Sequence, residues 1–161
     1  MGVFLMFKKR YYFKIWQIIG YIVNLSQFIE YNLANILALN EILSAFDTTD
    51  SMFLFEYNEL AEKANKWYEK LEKMNFGKVL SNFQKKKIFT EEFINEIDEV
   101  REERNYFVHR FFKDDLKTKE YQNNPKQFIP RLQCLSAKMY EINSFLCKVF
   151  DDMKKEYKLI Y

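Results

Sequence analysis

Arg104, Asn105 and His109 are the residues of this 161-residue chain that remain as candidates for chemistry, and His109 is its only histidine. An imidazole accepts and releases protons near neutral pH. A guanidinium is a permanent cation with a planar fork of donors, and an amide can both donate and accept hydrogen bonds. These three side chains could form one site if the fold brings them to one place.

The stretch that must position them is predicted to be one amphipathic helix from Thr90 to Phe112. Thr90 is a good N-cap, and the acidic residues after it suit the positive end of the helix dipole. Arg104 occupies a position that the apolar spacing assigns to the buried face, so we expect its guanidinium to point at a core or an interface, where a charge requires a partner or a function. The apolar positions are Phe93, Ile97, Val100, Phe107 and Phe111.

The spacing of the three polar residues sets a geometric difficulty. On an ideal helix, Asn105 and His109 share a face, whereas Arg104 and His109 diverge by about 140°. One straight helix is therefore not expected to aim both at one atom. Two copies of the helix related by a two-fold axis could do so, because such an interface presents each patch twice. This predicts a composite site in a homodimer.

Three further long helices are predicted from apolar residues at three- and four-residue spacing. They run from about Tyr11 to Phe46, from about Met52 to Asn75, and from roughly Pro125 or Pro130 to Tyr157. The segment from Val79 to Phe89 is expected to be a short connection, either helical or irregular. These elements predict an all-α fold, an up-and-down four-helix bundle formed by a single domain of residues 1–161, with the Arg104 helix third.

Two sets of polar residues are expected to be solvated and to have no functional role. The asparagines of the first helix, Asn24, Asn32, Asn35 and Asn40, are expected to face solvent. The stretch 113–126 is expected to be an exposed loop whose adjacent carboxylates, Asp114 and Asp115, are solvated.

Composition narrows the functional classes. Apolar residues make up 48% of the chain, which contains only 3 Gly and 2 Pro, and the formal net charge is +2. A strongly basic nucleic-acid tail is therefore absent, and any RNA contact must come from local patches. No phosphate-binding loop, Ser-His-Asp or Cys-His catalytic set or metal-ligand cluster is recognisable, so neither a metal nor a cofactor is expected.

Location is predicted from the cysteines and the apolar segments. Cys134 and Cys147 lie too far apart along one predicted helix to form a disulfide, which fits a reducing compartment. The apolar start of the chain has its basic residues on the wrong side for a signal peptide, and the stretch 15–25 is too short to span a bilayer. We expect a soluble cytoplasmic protein without a membrane partner.

The run Glu103-Arg104-Asn105-Tyr106-Phe107-Val108-His109-Arg110-Phe111-Phe112 resembles the signature of HEPN domains. In that family an Arg is followed by a polar residue, three further positions and a His, in the third helix of a four-helix bundle. The long first helix, the second helix ending in Asn75-Phe76-Gly77, and the final helix resemble the HEPN layout over nearly the whole chain.

The resemblance implies a metal-independent endoribonuclease that acts as a dimer. His109 of one chain would be the base and His109 of the other the acid, while Arg104 would clamp the phosphate and Asn105 would orient the substrate or the imidazole. The products would carry 2',3'-cyclic phosphate and 5'-hydroxyl ends.

Some residues near the signature have open roles. Tyr106 could stack a base or pack against the protein, and Arg101 and Arg110 could bind phosphate or be solvated. One subset of HEPN toxins has Tyr two residues after the His. Phe111 stands there in this chain, so regulation by nucleotidylation of that position is not expected.

Three functional hypotheses follow. The first is a HEPN ribonuclease that serves as a toxin, with an antitoxin partner, or as an antiphage abortive-infection effector. The second is a noncatalytic HEPN module that binds nucleotide or RNA or that partners a nucleotidyltransferase. The third is a helical interaction protein, which requires Arg104 to meet a carboxylate of its own chain.

Overall fold

The computed structural model describes residues 2–46, 57–73 and 76–156. These residues are almost entirely helical and include no strand, so the predicted all-α class is confirmed for them. A π-helical turn lies at Tyr106–Arg110, and a 3-10 turn at Pro125–Phe128. Helices α1 to α7 span, in order, Gly2–Phe46, Tyr57–Lys73, Phe76–Lys86, Glu91–Asn105, Phe111–Thr118, Glu120–Asn123 and Ile129–Glu156.

The predicted long helices are present with shifted ends. The first begins earlier than expected, as α1, and the last corresponds to α7. The second corresponds to α2, and the parts predicted at 52–56, 74–75 and 157 lie outside the described residues. The connection expected at 79–89 contains helix α3.

Helix α1 is the central element of the core. Its apolar residues recur every three or four positions, which puts one stripe of side chains against the neighbouring helices. From Asn32 to Leu39 every side chain is buried, because α1 is covered on several sides there. Its main partners are α2 and α7.

The contacts fix the relative directions of three helices. The hydroxyl of Tyr12 on α1 donates a hydrogen bond to the carbonyl of Gln122, which lies in α6 before the start of α7. Asn32, further along α1, donates to Asn143 well inside α7. Helices α1 and α7 therefore run parallel. Helix α4 is antiparallel to α7, since Glu103 pairs with Arg131 whereas the ring of Phe93, ten residues earlier, meets that of Phe145. An up-and-down bundle of four helices would have antiparallel first and last helices, so these contacts do not confirm the predicted four-helix topology. Five alternating helices, with α3 counted, would have parallel first and last helices.

The segment predicted as an exposed loop is instead mostly helical. It contains the end of α5, all of α6 and part of the 3-10 turn. Asp115 is buried, not solvated, because its carboxylate accepts hydrogen bonds from the backbone N–H groups of Tyr121 and Gln122. It therefore satisfies donors at the start of α6 that have no partner within the helix.

Two of the asparagines expected to face solvent are also buried. Asn32 donates from Nδ2 to Oδ1 of Asn143 at 2.8 Å and to the sulfur of Cys147 at 3.3 Å, and Asn35 is buried beside it on α1. The polar pair joins α1 to α7 within an otherwise apolar contact. Cys134 and Cys147 are both free thiols, as predicted.

None of the described helices carries an apolar stretch long enough to cross a lipid bilayer.

Candidate functional site

The predicted helix from Thr90 to Phe112 is interrupted by the π-helical turn. The expected N-cap is confirmed, because Thr90 Oγ1 accepts from the N–H of Phe93 at 3.3 Å. Regular α-helix continues to Asn105, and the N–H of Phe111 then bonds the carbonyl of Tyr106, five residues earlier. Such turns are rare and occur frequently at functional sites.

The π turn brings the three candidate residues together within one chain. A turn closed by i→i+5 bonds places residues five apart above one another, which a regular helix does not. Nη1 of Arg104 lies 3.4 Å from Nε2 of His109 and donates to Oδ1 of Asn105 at 3.0 Å. The predicted divergence of Arg104 and His109 is therefore wrong, because it assumed regular α-helical geometry. A dimer is not needed to unite them.

Whether the contact between Arg104 and His109 is a hydrogen bond depends on which imidazole nitrogen carries the proton. A guanidinium has donors only, so the contact is a hydrogen bond only when Nε2 of His109 carries a lone pair. The ring is then neutral with its proton on Nδ1. An exposed imidazole in this state has a nitrogen that can take a proton once Arg104 moves to another acceptor.

Arg104 lacks the partner that a purely structural arginine would have. Within the described part of the chain, no carboxylate lies within 4 Å of its guanidinium, and its Nε is buried without a hydrogen-bond partner. A buried donor left without an acceptor costs about 1–3 kcal/mol. The requirement of the interaction-protein hypothesis, a carboxylate beside Arg104, is therefore not met by those residues.

A partly open cavity of about 190 Å³ adjoins Arg104 and Asn105. It lies between α1, α4 and α7. Its walls are apolar, from Ile29, Ile97, Val100, Met139 and Ile142, and its polar lining comes from Ser26, Glu30, Arg101, Arg104 and Asn105. Arg104 and Asn105, but not His109, therefore border a space that could receive part of a ligand.

Among the three predicted substrate-binding residues, Arg101 and Tyr106 are engaged within the protein. Arg101 is bonded to Asp98 at 2.9 Å and to Glu102 at 2.6 Å, so two carboxylates neutralise it. Tyr106 does not line the cavity; its ring packs against Phe107, and Arg131 covers it at 5.0 Å. Packing, the alternative left open for Tyr106, is what this arrangement favours.

Arg110 has a different environment. It is exposed, and none of the carboxylates described in the structure lies within 4 Å of it. Of the three, it is therefore the one best placed to meet a phosphate.

Sequence reasoning missed the α1 side of the site. Ser26, Ile29 and Glu30 line the cavity, but they belong to a helix whose periodicity indicated only a core role. Nothing in their spacing pointed to Arg104. The π turn was missed as well, because the apolar positions from 93 to 111 fit a regular helix.

Across the described residues, no group of three or more His, Cys, Asp and Glu side chains is arranged to hold a metal ion. No protein-family model matches this chain, and neither a curated protein nor a solved structure is significantly similar to it. The site itself and the sequence signature are therefore the features that bear on function.

Proposed function

We propose that this protein is a metal-independent endoribonuclease of the HEPN type, with Arg104, Asn105 and His109 as its catalytic residues. The observation that carries the proposal is the contact of one guanidinium nitrogen of Arg104 with both Asn105 Oδ1 and His109 Nε2. These are the three signature residues. A guanidinium without a carboxylate within 4 Å among the described residues, placed beside an imidazole, suits a reaction that needs both a base and stabilisation of negative charge.

In the proposed reaction, His109 takes the proton of a ribose 2'-hydroxyl. The 2'-oxygen then bonds to the adjacent phosphorus, the bond from phosphorus to the 5'-oxygen breaks, and an acid protonates the leaving oxygen. Arg104 donates to the phosphate oxygens as negative charge builds up, and Asn105 fixes the guanidinium through Oδ1. The products carry a 2',3'-cyclic phosphate and a 5'-hydroxyl.

A homodimer is part of the proposal for a chemical reason. The reaction uses a base and an acid, and the chain has only one histidine. A second copy would supply the second imidazole if the two π turns faced one another across a two-fold axis. The exposure of His109 is compatible with such a pairing.

The HEPN layout is included in the proposal. Helices α1, α2, α4 with its continuation through α5, and α7 would be the four helices of the bundle, with α3 as an addition. The biological role that accompanies this proposal is that of a toxin controlled by an antitoxin, or of an effector that cuts RNA during phage infection.

The test is cleavage of a mixed RNA substrate in EDTA by the purified protein and by folded Arg104→Ala and His109→Ala variants. We expect cyclic-phosphate ends from wild type. Loss of the base should slow cleavage by about 10²–10⁴-fold. Lys148→Ala, which removes an exposed cation from α7, is the matched control and should cleave at the wild-type rate.

Equal cleavage by wild type and both variants would contradict the proposal, since it would indicate a contaminating nuclease. A dimeric wild-type protein that binds RNA without cutting it would instead support the noncatalytic module.

A further inference from the structure

Two aromatic rings stack face to face, one on α1 and one on α5, the helix that follows the π turn. The rings of Trp16 on α1 and Phe112 on α5 have centroids 4.8 Å apart and planes inclined by only 12°. Trp16 nevertheless remains 55% exposed, and Phe13, three residues earlier on α1, is 66% exposed. Large aromatic side chains left in water at one place indicate a surface that a partner covers.

The stacked pair has a firm support. Phe112 packs edge-on against the buried ring of Tyr121 at 5.6 Å, and Tyr121 also meets Tyr12 at 5.0 Å. Trp16 is therefore held from beneath by Phe112. A rigid, half-exposed indole can accept a further flat ring at a low cost in conformational entropy.

The pair lies on the far side of the π turn from Arg104. Phe112 follows His109 by three residues in the chain, just after the turn ends at Arg110. On α1, Trp16 precedes the cavity residue Ser26 by ten positions, a rise of about 15 Å along the helix. A single strand that extends a few nucleotides past the cleaved phosphate would reach the pair.

Three exposed cations lie close in the sequence to these aromatic residues. Arg10, Arg110 and Lys113 are all exposed, and the structure gives none of them a carboxylate within 4 Å among the described residues. Arg10 precedes Phe13 by three residues, and Lys113 directly follows Phe112. Aromatic faces flanked by free cations are the usual means of binding single-stranded nucleic acid.

We propose that Trp16, supported by Phe112, stacks an unpaired base of the RNA within a few nucleotides of the cleaved phosphate, while Arg10, Arg110 and Lys113 contact the flanking phosphates. This inference rests on the proposed function and names its substrate as single-stranded RNA. Because every base has a flat face, the platform accepts all four bases.

The test measures the binding of a fluorescently labelled 2'-O-methyl RNA hexamer of uridine, which lacks the hydroxyl needed for cleavage. We expect Trp16→Ala to weaken binding by about 5- to 150-fold, the range for loss of one stacked base, and Trp16→Phe to recover most of it. Tyr140→Ala, which removes a 57% exposed ring from α7, should bind like wild type. Quenching of tryptophan fluorescence on binding should disappear in Trp16→Phe, because Trp67 is buried.

Equal affinities for Trp16→Ala and Tyr140→Ala would overturn the platform. So would a Trp16→Ala protein whose oligomeric state changes while its affinity does not, since a second copy would then cover the rings. A protein that cleaves nothing but loses hexamer binding in Trp16→Ala would support the platform while contradicting the nuclease. Normal RNA cleavage by Trp16→Ala together with unchanged hexamer binding would support the nuclease while contradicting the platform.

Discussion

Two arginines three residues apart, Arg101 in the regular part of α4 and Arg104 next to the π turn, have opposite environments. Arg101 is held by Asp98 and Glu102, the first of them at the i,i+3 spacing that a regular helix provides. Arg104 has no such carboxylate in the described residues and meets a neutral amide and an imidazole instead.

Comparing the surroundings of Arg101 and Arg104 separates the effect of the sequence from that of the π turn. Regular helical spacing places Asp98 beside Arg101, whereas the positions three and four residues from Arg104 hold no acid: they are Val100, Arg101, Phe107 and Val108. The π turn changes which residue lies above Arg104, so that the available cation faces His109. An arrangement that leaves a donor buried without a partner costs stability, and such costs are typical of functional sites.

The largest expected difference between the two regions is in activity. Arg104→Ala should lower RNA cleavage by about 10²–10³-fold, the usual effect of removing a donor that stabilises transition-state charge. Arg101→Ala should change it by less than about threefold, because that guanidinium is already neutralised. Single-turnover cleavage rates of the two folded variants give the comparison. Equal losses would mean that Arg101 also contacts the substrate.

A smaller difference of opposite sign is expected in stability. Arg104→Met removes Nε, a buried donor without a hydrogen-bond partner among the described residues, and should raise the free energy of unfolding by about 1 kcal/mol. Arg101→Met gives up two ion pairs at the surface and should lower it by up to about 1 kcal/mol. Urea unfolding of both variants measures these changes. A loss of stability in both would indicate that the contacts of Arg104 outweigh its buried Nε.

The smallest effect concerns Tyr121, whose ring packs against Tyr12 and against Phe111 and Phe112 at the start of α5. Burial raises the pKa of Tyr121 to about 12, the nearby Tyr12 and Asp115 act in the same direction, and a hydrogen bond with Trp16 opposes them. An unfolded tyrosine titrates near pH 10, so the unfolded state loses this proton first. The stabilising contribution is complete below about pH 10 and is lost as pH rises towards 12.

Tyr121→Phe should therefore show a smaller fall in unfolding free energy between pH 9 and 11 than wild type. The measurement is urea unfolding at both pH values, with Tyr140→Phe, at an exposed position, as the control. An identical fall in wild type and Tyr121→Phe would show that this hydroxyl does not contribute.

Much of the helical framework was accessible from the sequence because it depends on local patterns. The long stripes of α1 and α7 follow from apolar residues at helical spacing, and the start of α4 follows from the hydrogen-bonding capacity of Thr90. Polar residues were harder to assign. Asn32 and Asp115 were both expected in solvent, yet each is buried, since each finds its partner in a distant segment or at a helix end that the local pattern does not reveal.

The sequence alone determined the identity and order of the candidate residues, Arg104, Asn105 and His109, and the helix that carries them. Only the tertiary structure decided that they meet within one chain. The apolar stripe fits a regular helix and a π turn equally well, because Phe107 and Phe111 are buried in either case. With the π turn, Phe111 packs against the ring of Phe107 and against those of Tyr121 and Phe128, contacts with a later segment of the chain that the local pattern does not show. A separation of about 140° on an ideal helix becomes a contact of 3.4 Å between Arg104 and His109.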